Sequence, residues 1–247
     1  MKIALVGYGR MGRAVEAVAE ERGHEVVARL DVADDSAGDG LTARRLAGAD
    51  VAIEFTVPDA AAANLAALAA AGMDVVCGTT GWYAGLPEVR RAVEAAGTGL
   101  IYAPNFSLGM QAFFRLAQAA GRLAERLTDW DVHVLEAHHR HKADSPSGTA
   151  RKLAELLLAE LTRKTRWELG PGPGPVDPAV LQVSSVRAGE IAGIHVVGLE
   201  GPDDRIEIRH EARGRTGFAR GAVAAAEWIH GRAGVFTLDD MLAETWS

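Results

Sequence analysis

The segment Glu136–Ala150, EAHHRHKADSPSGTA, concentrates side chains that can exchange protons or bind anions. A histidine can give or take a proton near neutral pH. A lysine can protonate or stabilise a developing anion, and the start of a helix offers free N–H groups to a carboxylate. The segment could therefore be a metal site, a phosphate or nucleic-acid patch, the acid–base centre of an enzyme, or an ordinary surface loop.

The spacing of the histidines argues against a metal centre, and no metal is expected. His138, His139 and His141 lack the HExxH spacing, and Cys77 has no partner cysteine to complete a structural site. Adjacent residues of a strand point to opposite faces, so His138 and His139 would not share one ion. A net charge of -7 argues against nucleic-acid binding, which needs a surplus of basic residues.

The acid–base interpretation uses more of these residues. Lys142 stands among the histidines, and Ser147, Gly148 and Thr149 begin a predicted helix. Their hydroxyl and N–H groups could hold a substrate carboxylate. This arrangement indicates chemistry on a small acidic substrate, with hydride transfer as the reaction if a dinucleotide binds nearby.

A glycine motif near the N-terminus predicts that dinucleotide. Residues 7–12, GYGRMG, follow a predicted strand and open a predicted helix, as the G-x-G-x-x-G phosphate loop does. Asp31 ends the second predicted strand, where a carboxylate can accept hydrogen bonds from ribose hydroxyls. Val32 follows it in place of a basic residue, which favours NADH over NADPH. Arg10, Arg13 or Arg29 could still support NADPH.

Three further loops follow predicted strands, at the edge of an open α/β sheet where ligands bind. They are EFT at 54–56, CGTTG at 77–81 and APNFS at 103–107. Small residues and hydroxyls suit loops that approach a nicotinamide ring and a substrate. Cys77 is expected to be a packed residue at a strand end and not a nucleophile.

The elements that must position these residues form two groups. Up to about residue 106, strands alternate with helices, which predicts an α/β fold with a Rossmann-type, doubly wound parallel sheet. The predicted strands are 2–6, 25–31, 50–56, 73–81 and 99–107.

The rest of the chain predicts a C-terminal α+β domain with a mostly antiparallel sheet. A long helix at 109–127 precedes a strand at 131–139, a helix at 149–161, an irregular Pro/Gly segment and several strands within 181–214. A final helix at 217–231 is expected to pack back on the first domain. We therefore predict a dinucleotide-binding domain of 1–106 and 217–247, and a substrate-binding and oligomerisation domain of 107–216.

Composition indicates the compartment in which the protein is expected to function. The 247 residues are 48% hydrophobic and include one cysteine. Neither a signal peptide nor an apolar run long enough for a membrane span is evident. A cytoplasmic location without membrane or nucleic-acid partners is expected.

The central segment also resembles a family signature. It is similar to E-(L/A)-H-H-x-x-K-x-D-A-P-S-G-T-A of the 4-hydroxy-tetrahydrodipicolinate (dihydrodipicolinate) reductases, which serve the diaminopimelate route to lysine. The likeness extends along nearly the whole chain through GYGRMGRAV, EFTVPDA, VVCGTTGW, APNFSLGM, SVRAGEIAGIHVV and RIEIRHEA. Ser145 stands where the family commonly has alanine, which is a change between small residues.

The resemblance implies hydride addition to a conjugated ring imine and then protonation of the enamine carbon. It implies that His138 is the proton donor and acceptor and that Lys142 is a second proton donor. The implied substrate contacts are His139, Gly148 and Thr149, with Ser147 and Thr80 as neighbours. The implied cofactor contacts are Gly7, Tyr8, Gly9, Arg10, Met11, Gly12, Asp31, Phe55, Gly78, Thr79, Thr80, Ala103, Pro104, Asn105 and Phe106.

The resemblance further implies a dicarboxylate substrate, a homotetramer formed through the C-terminal sheet, and domain closure, for which residues 107–109 permit a hinge. It gives His141 no role. Two alternatives stay open: another two-domain dehydrogenase of the aspartate or homoserine type, and a non-catalytic dinucleotide sensor.

Overall fold

The computed structural model describes residues 1–31, 41, 45–46 and 48–246. The chain forms two compact units. The first comprises Met1–Leu108 and Arg215–Ser247, and the second comprises Gly109–Gly214.

The first unit contains a parallel sheet of six strands in the order β11-β5-β4-β3-β1-β2. The strands are β1 Lys2–Val6, β2 Glu25–Leu30, β3 Val51–Glu54, β4 Asp74–Cys77, β5 Gly99–Tyr102 and β11 Gly234–Thr237. Its helices are α1 Arg10–Glu21, α2 Pro58–Ala70, α3 Leu86–Ala96, α6 Thr216–Ile229 and α7 Leu238–Thr245, with a short 3-10 helix at Tyr83–Gly85. The Rossmann-type sheet predicted from the strand–helix alternation is confirmed.

The central strands are mostly apolar and buried, because helices cover both faces of the sheet. One face of β1 contributes Ile3 and Leu5 to a core shared with α1 and α6. The other face contributes Ala4 and Val6 to a core shared with α2 and α3. Helix α6 packs in the first unit through the first of these cores.

The second unit contains a mixed sheet of five strands in the order β10-β9-β6-β8-β7. Its elements are α4 Leu108–Arg126, β6 Asp131–His138, α5 Gly148–Glu160, β7 Arg166–Leu169, β8 Val180–Arg187, β9 Ile194–Glu200 and β10 Arg205–Glu211. Strand β9 is antiparallel to β6 and β10, whereas β8 is parallel to β6 and β7. Helices α4 and α5 cover one face of the sheet through a single apolar core.

Besides the short 3-10 helix, three elements were not predicted from the sequence. Strands β7 and β11 have only four residues each, and α7 has eight. None is long enough to display a clear period, and β7 is largely exposed. Strand β11 completes the edge of the first sheet by pairing with β5.

Within the described residues, none of the helices has both the length and the apolar character needed to cross a membrane.

Candidate active site

The glycine loop between β1 and α1 has the backbone geometry that an anion site requires. Gly7 has a positive φ of 90°, and a side chain there would overlap the Phe55 carbonyl group. A side chain at Gly12 would meet the Gly7 carbonyl, whereas Gly9 faces open space. Gly9 is the N-cap of helix α1 and provides no side-chain cap, so the first N–H groups of the helix remain available to a phosphate. These residues fit a dinucleotide pyrophosphate.

A cavity of about 410 Å³ adjoins this loop. Gly7 and Asp31 both line it, so the glycine loop and the carboxylate at the end of β2 face the same space. Its other lining residues include Leu41, Arg45 and Asn64, which sequence reasoning did not identify. Val32, on which the preference for NADH partly depended, lies outside the described residues.

A second cavity of about 340 Å³ brings together three of the predicted loops. Its lining residues are Gly9, Arg10, Met11, Phe55, Thr56, Pro58, Gly78, Thr79, Thr80 and Arg215. The carboxyl ends of neighbouring parallel strands meet at this edge, which explains why motifs far apart in sequence converge. Pro58 and Arg215 were not predicted as site residues, and Thr56 was predicted only as part of the EFT loop at 54–56.

Several predicted cofactor residues have other surroundings. Tyr8 donates a hydrogen bond to Glu16, and the Arg29 guanidinium binds the same carboxylate, with 2.6 Å between Nε and Oε1. Phe106 is buried in the core and packs edge-on against Phe55. The Asn105 side chain accepts a hydrogen bond from the Ser107 N–H.

A buried glutamate joins the loops that follow β3 and β4. The Glu54 carboxylate accepts hydrogen bonds from the Thr56 hydroxyl and from the Cys77 thiol, the latter at 3.2 Å. The Thr56 N–H in turn binds Thr79 Oγ at 2.7 Å. We call Glu54, Thr56, Cys77 and Thr79 the Glu54 cluster. Because burial raises the pKa of the Cys77 thiol, this cysteine is an inert, packed residue, as predicted.

In the second unit, Glu136 and His138 lie two residues apart on β6, so their side chains share one face of the strand. The Glu136 side chain is fully buried, and its Oε2 is hydrogen-bonded to His138 Nδ1. Its Oε1 accepts from the Ser147 N–H at 3.1 Å, the Ser185 hydroxyl at 2.6 Å and Arg187 Nη2 at 2.7 Å. We call these five residues the Glu136 cluster.

The ionisation of Glu136 and that of His138 influence each other. Burial disfavours the ionised Glu136 carboxylate, yet the hydrogen bonds from Arg187, Ser185 and His138 lower its pKa to about 2. Burial is also the main cause that lowers the pKa of His138, against the raising effect of Glu136. The carboxylate is therefore ionised at neutral pH and supports positive charge on His138.

Strand pairing supplies partners that sequence reasoning missed. Glu136 lies opposite Ser185 on β8 and His195 on β9, and His138 lies opposite Arg187. The buried His195 ring is 5.1 Å from that of His138 between centroids, and its Nε2 is 3.2 Å from Ser147 Oγ. Burial first, and then the neighbouring His138, lower the pKa of His195 to about 4.

Ligand-type atoms of Glu136, His138 and His195 lie within 4.8 Å of one another, a grouping that could suggest a metal site. The hydrogen bonds favour a different interpretation. One Glu136 oxygen already accepts three donors, and the other binds His138. The carboxylate is thus committed to protein donors, and we interpret the grouping as a hydrogen-bond network.

The predicted anion site lies at the start of α5. Ser147 is the N-cap, and its Oγ accepts the Ala150 N–H. The Gly148 N–H binds Asp144 Oδ2 at 3.2 Å, and Lys142 Nζ lies 2.6 Å from Asp144 Oδ1. Burial raises the pKa of Asp144, but the hydrogen bond and charge of Lys142, together with backbone N–H groups, lower it below its usual value. Lys142 and the helix start therefore converge on a single carboxylate.

The remaining histidines of the motif lie outside these contacts. The His139 and His141 rings are 6.2 Å apart, and His141 Nε2 is 3.7 Å from Glu190 on the exposed surface. Thr149 lies in the first turn of α5. Thr80, named as a substrate neighbour, belongs to the first unit, where it lines the second cavity.

Both units match protein families described as parts of the same enzyme. Residues 1–106 match the family described as dihydrodipicolinate reductase, N-terminus, and residues 109–242 match dihydrodipicolinate reductase, C-terminus. The 4-hydroxy-tetrahydrodipicolinate reductase of Christiangramia forsetii is 39% identical over 99% of this chain and 98% of its own. The enzyme of the same name from Methanococcoides burtonii is 38% identical over 87% of this chain and 81% of its own.

A solved structure has the same fold. The dipicolinate-bound dihydrodipicolinate reductase of Paenisporosarcina sp. TG-14 superposes with a TM-score of 0.75 at 22% identity, over 96% of this chain and 97% of its own.

Proposed function

The chain belongs to the dihydrodipicolinate reductase family, and we propose that it reduces 4-hydroxy-tetrahydrodipicolinate to tetrahydrodipicolinate with NAD(P)H. The reaction is a step of lysine biosynthesis through diaminopimelate. The protein is an oxidoreductase, and its substrate is a small cyclic dicarboxylate.

One observation carries the proposal at the level of this chain's residues. Lys142 and the Gly148 N–H already bind one carboxylate, that of Asp144, beside the buried Glu136–His138 pair. A substrate carboxylate that replaced Asp144 would meet the same two donors. The substrate ring would then lie next to an ammonium group and an imidazole, which are the groups that protonation of an enamine needs.

The glycine loop, Asp31 and the residues of the second cavity would hold the cofactor, which supplies a hydride when it is bound. We propose NADH as the preferred form. Asp31 would accept the ribose hydroxyls and repel a phosphate in their place. Arg29, a candidate for binding such a phosphate, is already engaged by Glu16.

His138 and Lys142 have different roles toward the substrate. Lys142 fixes a carboxylate and can give a proton, while His138 gives a proton to the enamine carbon formed by hydride addition. His139, Ser147, Gly148 and Thr149 contribute to substrate binding, with Thr80 as a neighbour on the cofactor side. The domain closure implied by the family resemblance stays a prediction.

A coupled assay tests the proposed function. Purified protein is supplied with enzymatically generated hydroxy-tetrahydrodipicolinate, and loss of NADH absorbance is followed. Rapid loss is expected, and an unchanged absorbance with an active coupling enzyme contradicts the proposal. Turnover of a linear amino-acid substrate alone would favour the aspartate or homoserine dehydrogenase alternative, whereas NADH binding without any turnover would favour a sensor. The ratio of kcat/KM for NADH and NADPH tests the cofactor preference.

We also propose that the protein works in the cytoplasm as a homotetramer formed through the sheet of the second unit. The family resemblance supports the tetramer, and the single cysteine is compatible with a reducing compartment. Light scattering after size-exclusion chromatography tests the assembly, for which a monomer is the contradicting result.

A further inference from the structure

We propose that Glu136 is a positioning residue for the reduction: it holds His138 so that Nε2 is the atom that transfers the proton. This inference rests on the proposed function, because it assigns an orientation to the histidine that acts there. It concerns a residue that lies two positions before His138 on β6 and is out of contact with solvent.

The hydrogen bonds of Glu136 divide its two oxygens between two tasks. Oε1 is fixed by Ser147, Ser185 and Arg187. Oε2 binds His138 Nδ1. A carboxylate held by three donors on one side cannot turn away, so the other oxygen presents a fixed acceptor to the imidazole.

This acceptor determines the tautomer of His138. An ionised carboxylate accepts a hydrogen and cannot donate one, so Nδ1 must carry the hydrogen in both the neutral and the charged ring. Nε2 is then protonated only in the charged ring. When Nε2–H gives its proton to the enamine carbon, a C–H bond forms, and the neutral Nδ1–H imidazole remains bound to Glu136.

The neighbouring backbone leaves room at Nε2. Gly193 lies against that edge of the ring, and a Cβ atom at this position would come within 3.1 Å of Nε2. Gly193 has a φ of 151°, which disfavours any other residue. A bare backbone at this position therefore keeps a side chain away from the nitrogen that transfers the proton.

The charges that face His138 are those of Glu136, Lys142 and Arg187, together with the neutral His195 ring. Of these, only Glu136 raises the pKa of His138. Replacing Glu136 by glutamine removes that support and also places an amide beside Nδ1. The amide can donate a hydrogen to Nδ1, which favours the opposite tautomer.

The test combines nitrogen NMR with kinetics. In the wild-type protein, nitrogen NMR of labelled histidine should show hydrogen on Nδ1 of neutral His138. Glu136→Gln should lower kcat by about 10- to 100-fold, less than the loss of the acid itself. The limb of the kcat/KM profile that reports protonated His138 should move to lower pH.

Glu200→Gln is the matched control, because it makes the same substitution at a partly exposed glutamate that faces another histidine of β6, His133. We expect an unchanged kcat and an unmoved pH limb, because Glu200 lies opposite Asp131, at the other end of β6 from His138. An Nε2–H tautomer in the wild type overturns the inference, even if Glu136→Gln does not fold. A folded Glu136→Gln enzyme with an unmoved limb also overturns it and indicates a merely structural role. The tautomer needs no turnover, so failure of the reductase assay remains a separate result.

Discussion

Glu54 in the first unit and Glu136 in the second are both fully buried glutamates near the carboxyl end of a strand, yet their partners differ in chemistry. Glu54 accepts from a hydroxyl and a thiol. Glu136 accepts from a guanidinium, a hydroxyl, a backbone N–H and an imidazole.

The difference separates two uses of a buried carboxylate. Neutral donors allow Glu54 to fix the shape of two loops, because each lost partner would leave a buried polar group unsatisfied. Glu136 has in addition a permanent cation on one side and a titratable ring on the other, so it influences charge as well as position. The first arrangement suits cofactor binding, and the second suits proton transfer.

The largest effect is expected from His138, the imidazole that distinguishes the Glu136 cluster from the Glu54 cluster. His138→Gln should lower kcat by about 10²–10⁴, which is the usual contribution of a general acid. The dissociation constant of NADH should stay nearly unchanged, because the glycine loop is untouched. Steady-state kinetics and NADH fluorescence titration measure the two quantities, and an equal loss of NADH binding would contradict the assigned role.

The next effect concerns stability in acid. The pKa of buried His195 is lowered from 6.5 to about 4, so the unfolded chain binds a proton in this window and the folded chain does not. Stability should fall as pH decreases from 6.5 to 4, by up to about 3 kcal/mol at about 1.4 kcal/mol per pH unit. His195→Gln should flatten that slope in thermal or denaturant unfolding.

His133→Gln is the control for this measurement, since it makes the same substitution at a more exposed histidine on β6. It should leave the slope as in the wild type. If His195→Gln keeps the full slope, another group is responsible for acid sensitivity.

A smaller effect is expected from Glu54→Gln. Loss of the carboxylate should loosen the hydrogen bonds of Thr56 and Cys77 and raise KM for NADH by about tenfold at most, as for one or two neutral hydrogen bonds. The pH limb assigned to His138 should not move. A shifted limb in this variant would remove the distinction between the two glutamates.

The smallest effect is expected from Cys77→Ala. The Cys77 thiol is buried and donates only weakly, to Glu54 at 3.2 Å and to the Thr79 carbonyl at 3.8 Å, so kcat/KM should change by about twofold at most. A thiol reagent should label native protein far more slowly than unfolded protein, because burial raises the thiol pKa. Rapid labelling with loss of activity would show that Cys77 is accessible and functionally important.

Local patterns in the sequence were sufficient for much of the fold and for part of the candidate site. The glycine loop, Lys142 and the start of α5 follow from short-range rules about turns, strands and helix ends. Glu136 and His138 also occur within one motif, and their spacing of two on a strand could have indicated a shared face.

The residues that neighbouring strands contribute to this site could not be found in this way. Ser185, Arg187 and His195 reach the site through the pairing of β6 with β8 and β9, which joins residues about fifty positions apart. Arg45 and Arg215 likewise line the cavities through folding over long distances. The register between strands depends on packing of the whole sheet, and no short stretch of sequence contains it.

The pairing of β11 with β5 has a consequence for biosynthesis. Ribosomes deliver the chain from the N-terminus, so residues 1–108 emerge without the strand and helices that complete their sheet and core. The intervening unit has all its strands by residue 211 and can fold first. We therefore expect the N-terminal part of the first unit to stay incompletely folded during synthesis, with the β5 edge of its sheet unpaired. Chaperones should be most important at this stage.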